Sequence, residues 1–228
     1  MGGRPNGGVA RQNNVKKQFL HLNGIPLLVH TLIPFQQSEQ VARVVLVVPW
    51  DDCLAVRALV SAHALSKIIS ILPGGATRQD SVQVGMAFLE HVAVPEDIVV
   101  VHDGVRPFVP PSLLARVITA ACTVGGAVAA LPVTDSLARV SSSNRLVQES
   151  FPRADLWAMQ TPQAFRYDIL RAACRKAVDD GFHGTDEVSI VTRIGQPIVC
   201  VEGSADNIKI TTAADMDEAD RRLREGVD

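Results

Sequence analysis

Asp97-Ile98-Val99-Val100-Val101-His102-Asp103-Gly104-Val105-Arg106-Pro107 reads as a buried strand that runs straight into charge. Its apolar run, bounded by polar residues, suits a central strand covered on both faces. An imidazole, a carboxylate and a guanidinium follow at its C-terminal end, and Pro107 then removes a ladder donor. Open α/β sheets bind ligands in the crevice at the carboxyl ends of their strands. There a carboxylate such as Asp103 suits a divalent cation, and a guanidinium such as Arg106 suits a phosphate. The stretch therefore reads as a nucleotide–metal site. The competing reading is a surface turn with a local Asp–Arg pair.

Outward from this strand, apolar runs alternate with helical patterns. Strands are expected at 41–48, 67–72, 97–102, 126–133 and 197–201. Helices are expected at 51–64, 78–92, 111–123, 166–180, 186–194 and 212–225. Asp51 or Asp52 is placed to cap the first of these, and Pro111 opens the third. Val82, Met86 and Leu89 share one face of the second. The alternation argues for a doubly wound, parallel α/β sheet in one domain over 1–228, with residues 1–16 as a loop. Residues 134–160 break the rhythm: short polar–apolar alternations flank Ser141-Ser142-Ser143-Asn144, a hairpin pattern. Such a hairpin carries two exposed edges, and a projecting arm packed on a second subunit would cover them.

The totals narrow the function. Hydrophobic residues make up 47% of 228, enough for a sizeable core. A net charge of −2 supplies no global basic field for nucleic acid or an anionic membrane, so a bound anion needs a local cluster. The apolar runs are too short to span a bilayer, and no secretory signal is visible. Cys53, Cys122, Cys174 and Cys200 form no C-x-x-C pair and are expected to be buried thiols of a cytoplasmic protein.

Four further stretches carry chemistry. Pro73-Gly74-Gly75-Ala76-Thr77-Arg78-Gln79-Asp80-Ser81-Val82 joins a strand to a helix. Its glycines permit close backbone approach, the helix start offers free N–H groups and Ser81 adds a hydroxyl, so it can grip a base or a phosphate. The plainer reading is a tight turn capped by Thr77 or Asp80. Thr161, in Gln160-Thr161-Pro162-Gln163, either donates to a phosphate or ends an extended segment before proline. Gly184-Thr185-Asp186-Glu187 is a helix start for which Thr185 as N-cap suffices. Asn207-Ile208-Lys209-Ile210-Thr211 sets a lysine between isoleucines on a short strand, where snorkelling is the default.

In this order, with Lys17-Gln18-Phe19-Leu20 before them and Pro132-Val133-Thr134-Asp135-Ser136 among them, these stretches resemble the 2-C-methyl-D-erythritol 4-phosphate cytidylyltransferases of the non-mevalonate isoprenoid pathway. The resemblance runs from about Lys17 to Asp217. It implies a Rossmann-like nucleotidyltransferase fold, CTP and a sugar-alcohol phosphate as substrates, a divalent cation (Mg²⁺) and a homodimer. It further implies that Lys17 and Lys209 stabilise the α-phosphate during transfer. Gly74, Gly75, Ala76 and Ser81 would hold the cytidine nucleotide, and Asp103 would place the metal and the ribose–phosphate region. Arg106, Thr161, Thr185 and Lys209 would contact or position the alcohol phosphate. Ser136 and Arg153, on an arm at about 134–157, would serve the neighbouring subunit.

The chain departs from the family at its start. The family opens with a hydrophobic strand and a loop of roughly A-A-G-x-G-x-R-M-G, whereas this chain begins Met1-Gly2-Gly3-Arg4. Two sheet neighbours are therefore expected to lack a ladder partner. Arg4 or Arg11 is the candidate substitute for the loop's arginine. Lys16 replaces the usual proline before Lys17, and Ser136 replaces a common threonine while keeping its hydroxyl. An upstream start accounts for this best, since every later motif is intact; a shortened chain without activity is the competing account. The other functions to weigh are ribitol-5-phosphate cytidylyl transfer and a non-catalytic nucleotide-binding homodimer. A hydrolase built on His102 and Asp103 fits poorly, because no serine or cysteine nucleophile accompanies them.

Overall fold

The computed structural model describes residues 16–225; Arg4 and Arg11 lie outside them. In chain order these residues form β1 (His21–Leu22), β2 (Ile25–Pro26), α1 (Leu27–Gln37), β3 (Val44–Val48), α2 (Cys53–Ala62), β4 (Ile68–Pro73), α3 (Arg78–Leu89), β5 (Ile98–Val101) and α4 (Pro111–Val124). They continue with β6 (Gly126–Pro132), β7 (Leu137–Val140), β8 (Val147–Phe151), β9 (Trp157–Arg166), α5 (Tyr167–Asp179), α6 (Glu187–Thr192), β10 (Val199–Glu202) and α7 (Ala213–Glu225).

The main sheet has the order β10-β6-β9-β5. β6 is parallel to β10, and β9 runs antiparallel between β5 and β6. The main sheet is thus mixed, with β9 its antiparallel member, within the α/β architecture expected. Small residues let helices approach its centre. On one face Leu113, Leu114, Val117 and Ala121 of α4 pack with Ala127, Ala129 and Ala164. On the other, Phe165 meets Leu170, Ala173 and Ala177 of α5 and Ile190 and Val191 of α6. Each fully buried leucine contributes about 2 kcal/mol. Pro111 at its first turn opens α4, and Gly125 closes it at φ 93°, a left-handed conformation that favours glycine.

β3 pairs in parallel with β4, and that pair stands apart as a second sheet. Among the described residues β3 pairs only with β4, and β5 only with β9. All four residues of β5 are only half-buried, although both faces of the strand meet core clusters. β7 and β8 form the expected hairpin, exposed along nearly its whole length.

Several local expectations change. Asp52 stands at the N-cap position of α2 but its side chain makes no cap bond; its carboxylate accepts Lys16 Nζ at 2.6 Å and Gln18 Nε2 at 2.8 Å. Of the cysteines only Cys174 is buried, where burial and the Glu187 charge push its thiol up to about 12; Cys122 and Cys200 are exposed. Residues 207–210 belong to no sheet. Ile210 N–H donates to the Val105 carbonyl at 2.9 Å. No helix among the described residues is long and apolar enough to cross a membrane.

Candidate functional site

β5 delivers His102 and Asp103 to the C-terminal edge of the main sheet, and Asp103 gathers the charges there. Lys209 Nζ lies 2.8 Å from its Oδ2, Arg106 Nε 3.6 Å from the same oxygen, and Arg78 Nε 3.4 Å from Oδ1. Three cations from three separate segments therefore meet one carboxylate. Burial raises the Asp103 pKa, but Lys209, Arg78 and Arg106 outweigh burial and hold it below the ordinary carboxylate value. Burial lowers the Arg106 pKa, and Asp103 only partly offsets that.

Arg78 is not singled out by its sequence context, nor is Glu187. Their side chains form a two-pronged pair, Nη1 to Oε1 at 2.6 Å and Nη2 to Oε2 at 2.7 Å, with Glu187 only 2% exposed. Burial alone would lower the Arg78 pKa; Glu187 and Asp103 raise it above its ordinary value. The pair fastens the start of α3 to the start of α6. Gln79 reinforces it, accepting Gly184 N–H at 2.8 Å and donating to the Phe182 carbonyl at 3.0 Å. Arginine at the first position of a capped helix and glutamate at the first position of another are each explained by local helix chemistry. Only their meeting, 109 residues apart, marks them.

The Gly74–Ser81 segment is built locally. Thr77 and Asp80 form a capping box, as its plainer reading had it. Ser81 Oγ accepts Gly75 N–H at 3.2 Å and donates to the Thr77 carbonyl at 3.0 Å. A Cβ on Gly75 would come 2.3 Å from Asp80 Cβ, so the box itself demands glycine there. Gly75 and Ala76 are exposed at the turn. Thr185 is exposed one residue ahead of Asp186, and Asp186 is the true N-cap of α6, accepting Ser189 N–H at 2.9 Å.

Lys17 starts a single 3-10 turn and donates Nζ to the Thr211 carbonyl at 3.1 Å. Both lysines implied in catalysis are therefore anchored around residues 209–211. Thr161, 4% exposed on β9, accepts the Asp103 N–H at 3.1 Å. Ser136 and Arg153 stand apart on the arm: Ser136 is exposed, and the Arg153 guanidinium bonds the Thr134 carbonyl. Among the described residues, no three His, Cys, Asp or Glu side chains converge to cage a metal.

A family model described as IspD, 2-C-methyl-D-erythritol 4-phosphate cytidylyltransferase, matches residues 6–225. A protein of that name from Syntrophus aciditrophicus is 44% identical, over 96% of this chain and 94% of the relative. Its namesake from Geobacter metallireducens is 39% identical over 93% and 91%. Among solved structures, the 2-C-methyl-D-erythritol 4-phosphate cytidylyltransferase from Thermus thermophilus superposes with a TM-score of 0.74 at 35% identity, over 91% of this chain and 94% of that one. A 4-diphosphocytidyl-2C-methyl-D-erythritol synthase superposes with a TM-score of 0.80 at 31% identity and the same coverage.

Proposed function

We infer the reaction from family and site together: the chain belongs to the 2-C-methyl-D-erythritol 4-phosphate cytidylyltransferases, nucleotidyltransferases of isoprenoid precursor synthesis. Its reaction joins CTP to 2-C-methyl-D-erythritol 4-phosphate, giving 4-diphosphocytidyl-2-C-methyl-D-erythritol and pyrophosphate. The observation that carries the site assignment is the meeting of Lys209, Arg106 and Arg78 on Asp103. A phosphate oxygen of the alcohol substrate attacks the α-phosphorus of CTP; the new P–O bond forms as the bond to the leaving pyrophosphate breaks. The nucleophile is already an anion and needs no general base. The task is to neutralise charge, which suits a cluster of cations.

Within this reading Lys17 and Lys209 face the α-phosphate. Gly74, Gly75, Ala76 and Ser81 hold the cytidine, with Arg78 behind them. Arg106 and Thr185 receive the alcohol phosphate, and Thr161 positions the cluster. A single carboxylate fits Mg²⁺, which is commonly held by one or two carboxylates with substrate phosphates completing its shell. Asp103 would hold it, and the ion would neutralise phosphate charge. Lys209 is the natural group to move from Asp103 to phosphate as ligands arrive. The described chain acts as one catalytic domain.

The arm pairs two copies of the chain. Leu137, Val140, Leu146 and Val147 expose apolar surface on the hairpin, and Trp157 and Met159 extend it along β9. Ser136 and Arg153 then serve the site of the other copy, in keeping with their exposure on the arm. Val147→Asp should split the dimer in sedimentation and lower turnover together; a dimer unchanged by it would discard the arm's role. For the reaction, pyrophosphate release is expected only when CTP, Mg²⁺ and methylerythritol phosphate are all present. Faster release with ribitol 5-phosphate would overturn the substrate.

A further inference from the structure

Behind the charged cluster four residues close a ring of hydrogen bonds. His102 Nε2 lies 3.1 Å from the Arg106 carbonyl, which can only accept, so Nε2 carries a proton. The ring of His102 is enclosed against Phe35, at 4.9 Å between centroids, where an imidazolium would lose its hydration. In the neutral ring Nδ1 accepts, and the Thr161 hydroxyl donates to it at 3.0 Å. The Thr161 oxygen in turn accepts the Asp103 N–H. On the far side the Thr161 carbonyl accepts Asn207 Nδ2 at 2.8 Å. The Asn207 carbonyl accepts Arg106 Nη1 at 2.7 Å, which returns the chain of bonds to Arg106. Asn207 is fully buried.

The segments that carry Asp103, Arg106 and Lys209 hang from this ring. Asp103 and Arg106 flank its His102 corner, β9 supplies Thr161, and Asn207 lies two residues before Lys209. We propose that His102 and Asn207 are positioning residues for cytidylyl transfer, holding Asp103, Arg106 and Lys209 in register, with the Thr161 hydroxyl proton committed to His102 and not to substrate. The inference rests on the reaction assigned above. It predicts a division of labour: the ring sets where the charges stand, and the charges themselves meet the phosphates.

The test compares Thr161→Val, Thr161→Ser, His102→Phe and the Thr161→Val/His102→Phe pair with wild type, each checked by thermal unfolding. Thr161→Val and His102→Phe are each expected to lower kcat at least tenfold. KM for CTP and for the alcohol phosphate should stay within twofold. The pair should be no worse than the poorer single change, since both act through one path to Asp103, and Thr161→Ser should restore kcat. A raised KM for the alcohol phosphate at unchanged kcat in Thr161→Val would overturn the proposal, as would losses that multiply in the pair. If His102→Phe does not fold, the valine and serine variants decide alone. Nitrogen-15 spectra of the imidazoles give a readout independent of turnover: the His102 signal, assigned in His102→Gln, should report the Nε2–H tautomer. An Nδ1–H tautomer would contradict the ring. A wild type inert on both substrates would contradict the reaction, and the tautomer would still decide the ring.

Discussion

The two walls of the site are built on different principles. The Asp103 wall is assembled from distant pieces: β5, β9 and the 207–209 segment meet through buried hydrogen bonds and three ion pairs on one carboxylate. The Gly74–Ser81 wall takes its shape from neighbours: the bonds among Gly75, Thr77, Asp80 and Ser81 span no more than six residues, and Gly74, Arg78 and Gln79 tie that turn to the rest of the fold. A wall made of long-range bonds holds its charges where the reaction needs them, and it fails as a unit. A local wall fails one contact at a time. Arg78 joins the two, since it starts the helix of one and contacts the carboxylate of the other.

The largest effect should come from Lys209→Ala, which removes a cation from the Asp103 wall. Loss of one preorganised charge-stabilising contact costs about 10²–10³ in kcat. CTP affinity, measured by calorimetry without the second substrate, should change far less. An equal loss in both would place Lys209 in uniform binding instead of the transition state.

Acid should distinguish the walls next. Burial lowers His102 from 6.5 to about 4, outweighing the Arg106 carbonyl bond and the Asp103 charge, while the Arg106 charge adds to it. Although part of the residue's surface still meets solvent, protein atoms crowd the ring. The unfolded chain therefore binds the proton more readily, and stability falls as pH drops from about 6.5 to 4. The loss is on the order of 2 kcal/mol. Asp103, whose pKa is also depressed, loses its stabilisation only further down, as pH falls below the ordinary carboxylate value. Denaturant midpoints across this range should show the slope in wild type and a shallower one in His102→Gln; equal slopes would remove His102 as its source.

The smallest effect belongs to the local wall. Gly75→Ala drives a Cβ into Asp80 and disturbs the capping box. A rise of about tenfold in KM for CTP, worth near 1.4 kcal/mol, is expected at little change in kcat. A large fall in kcat instead would show that this wall, too, positions reacting groups.

The same contrast governs what the sequence discloses. Local chemistry is legible: the Thr77–Asp80 box, the β5 run ending at Asp103, the proline-opened α4 and the arm hairpin all follow from residues near one another. Long-range satisfaction is not. β9 is absent from the expected strands, Thr161 being read as a phosphate donor or as the end of an extended segment before Pro162, yet the strand runs on through Gln163, which is 2% exposed. Its amide is satisfied by Asp186, which accepts at 3.1 Å, and by Val188 N–H, which donates at 3.2 Å. Such partners lie more than twenty residues away, so propensity points the wrong way. Arg78 and Glu187 are hidden for the same reason. Lys209 is conspicuous between two isoleucines, but its partner Asp103 lies across the fold.

The most direct measurement of the central claim is phosphorus-31 NMR of a mixture of CTP, methylerythritol phosphate, Mg²⁺ and the protein, run beside Asp103→Asn. Wild type should convert the substrate phosphate into the coupled pair of resonances of a new diphosphate, with pyrophosphate in equal amount, while Asp103→Asn leaves the substrates standing over the same time. Inorganic phosphate without a new diphosphate, or Asp103→Asn keeping pace with wild type, would contradict it.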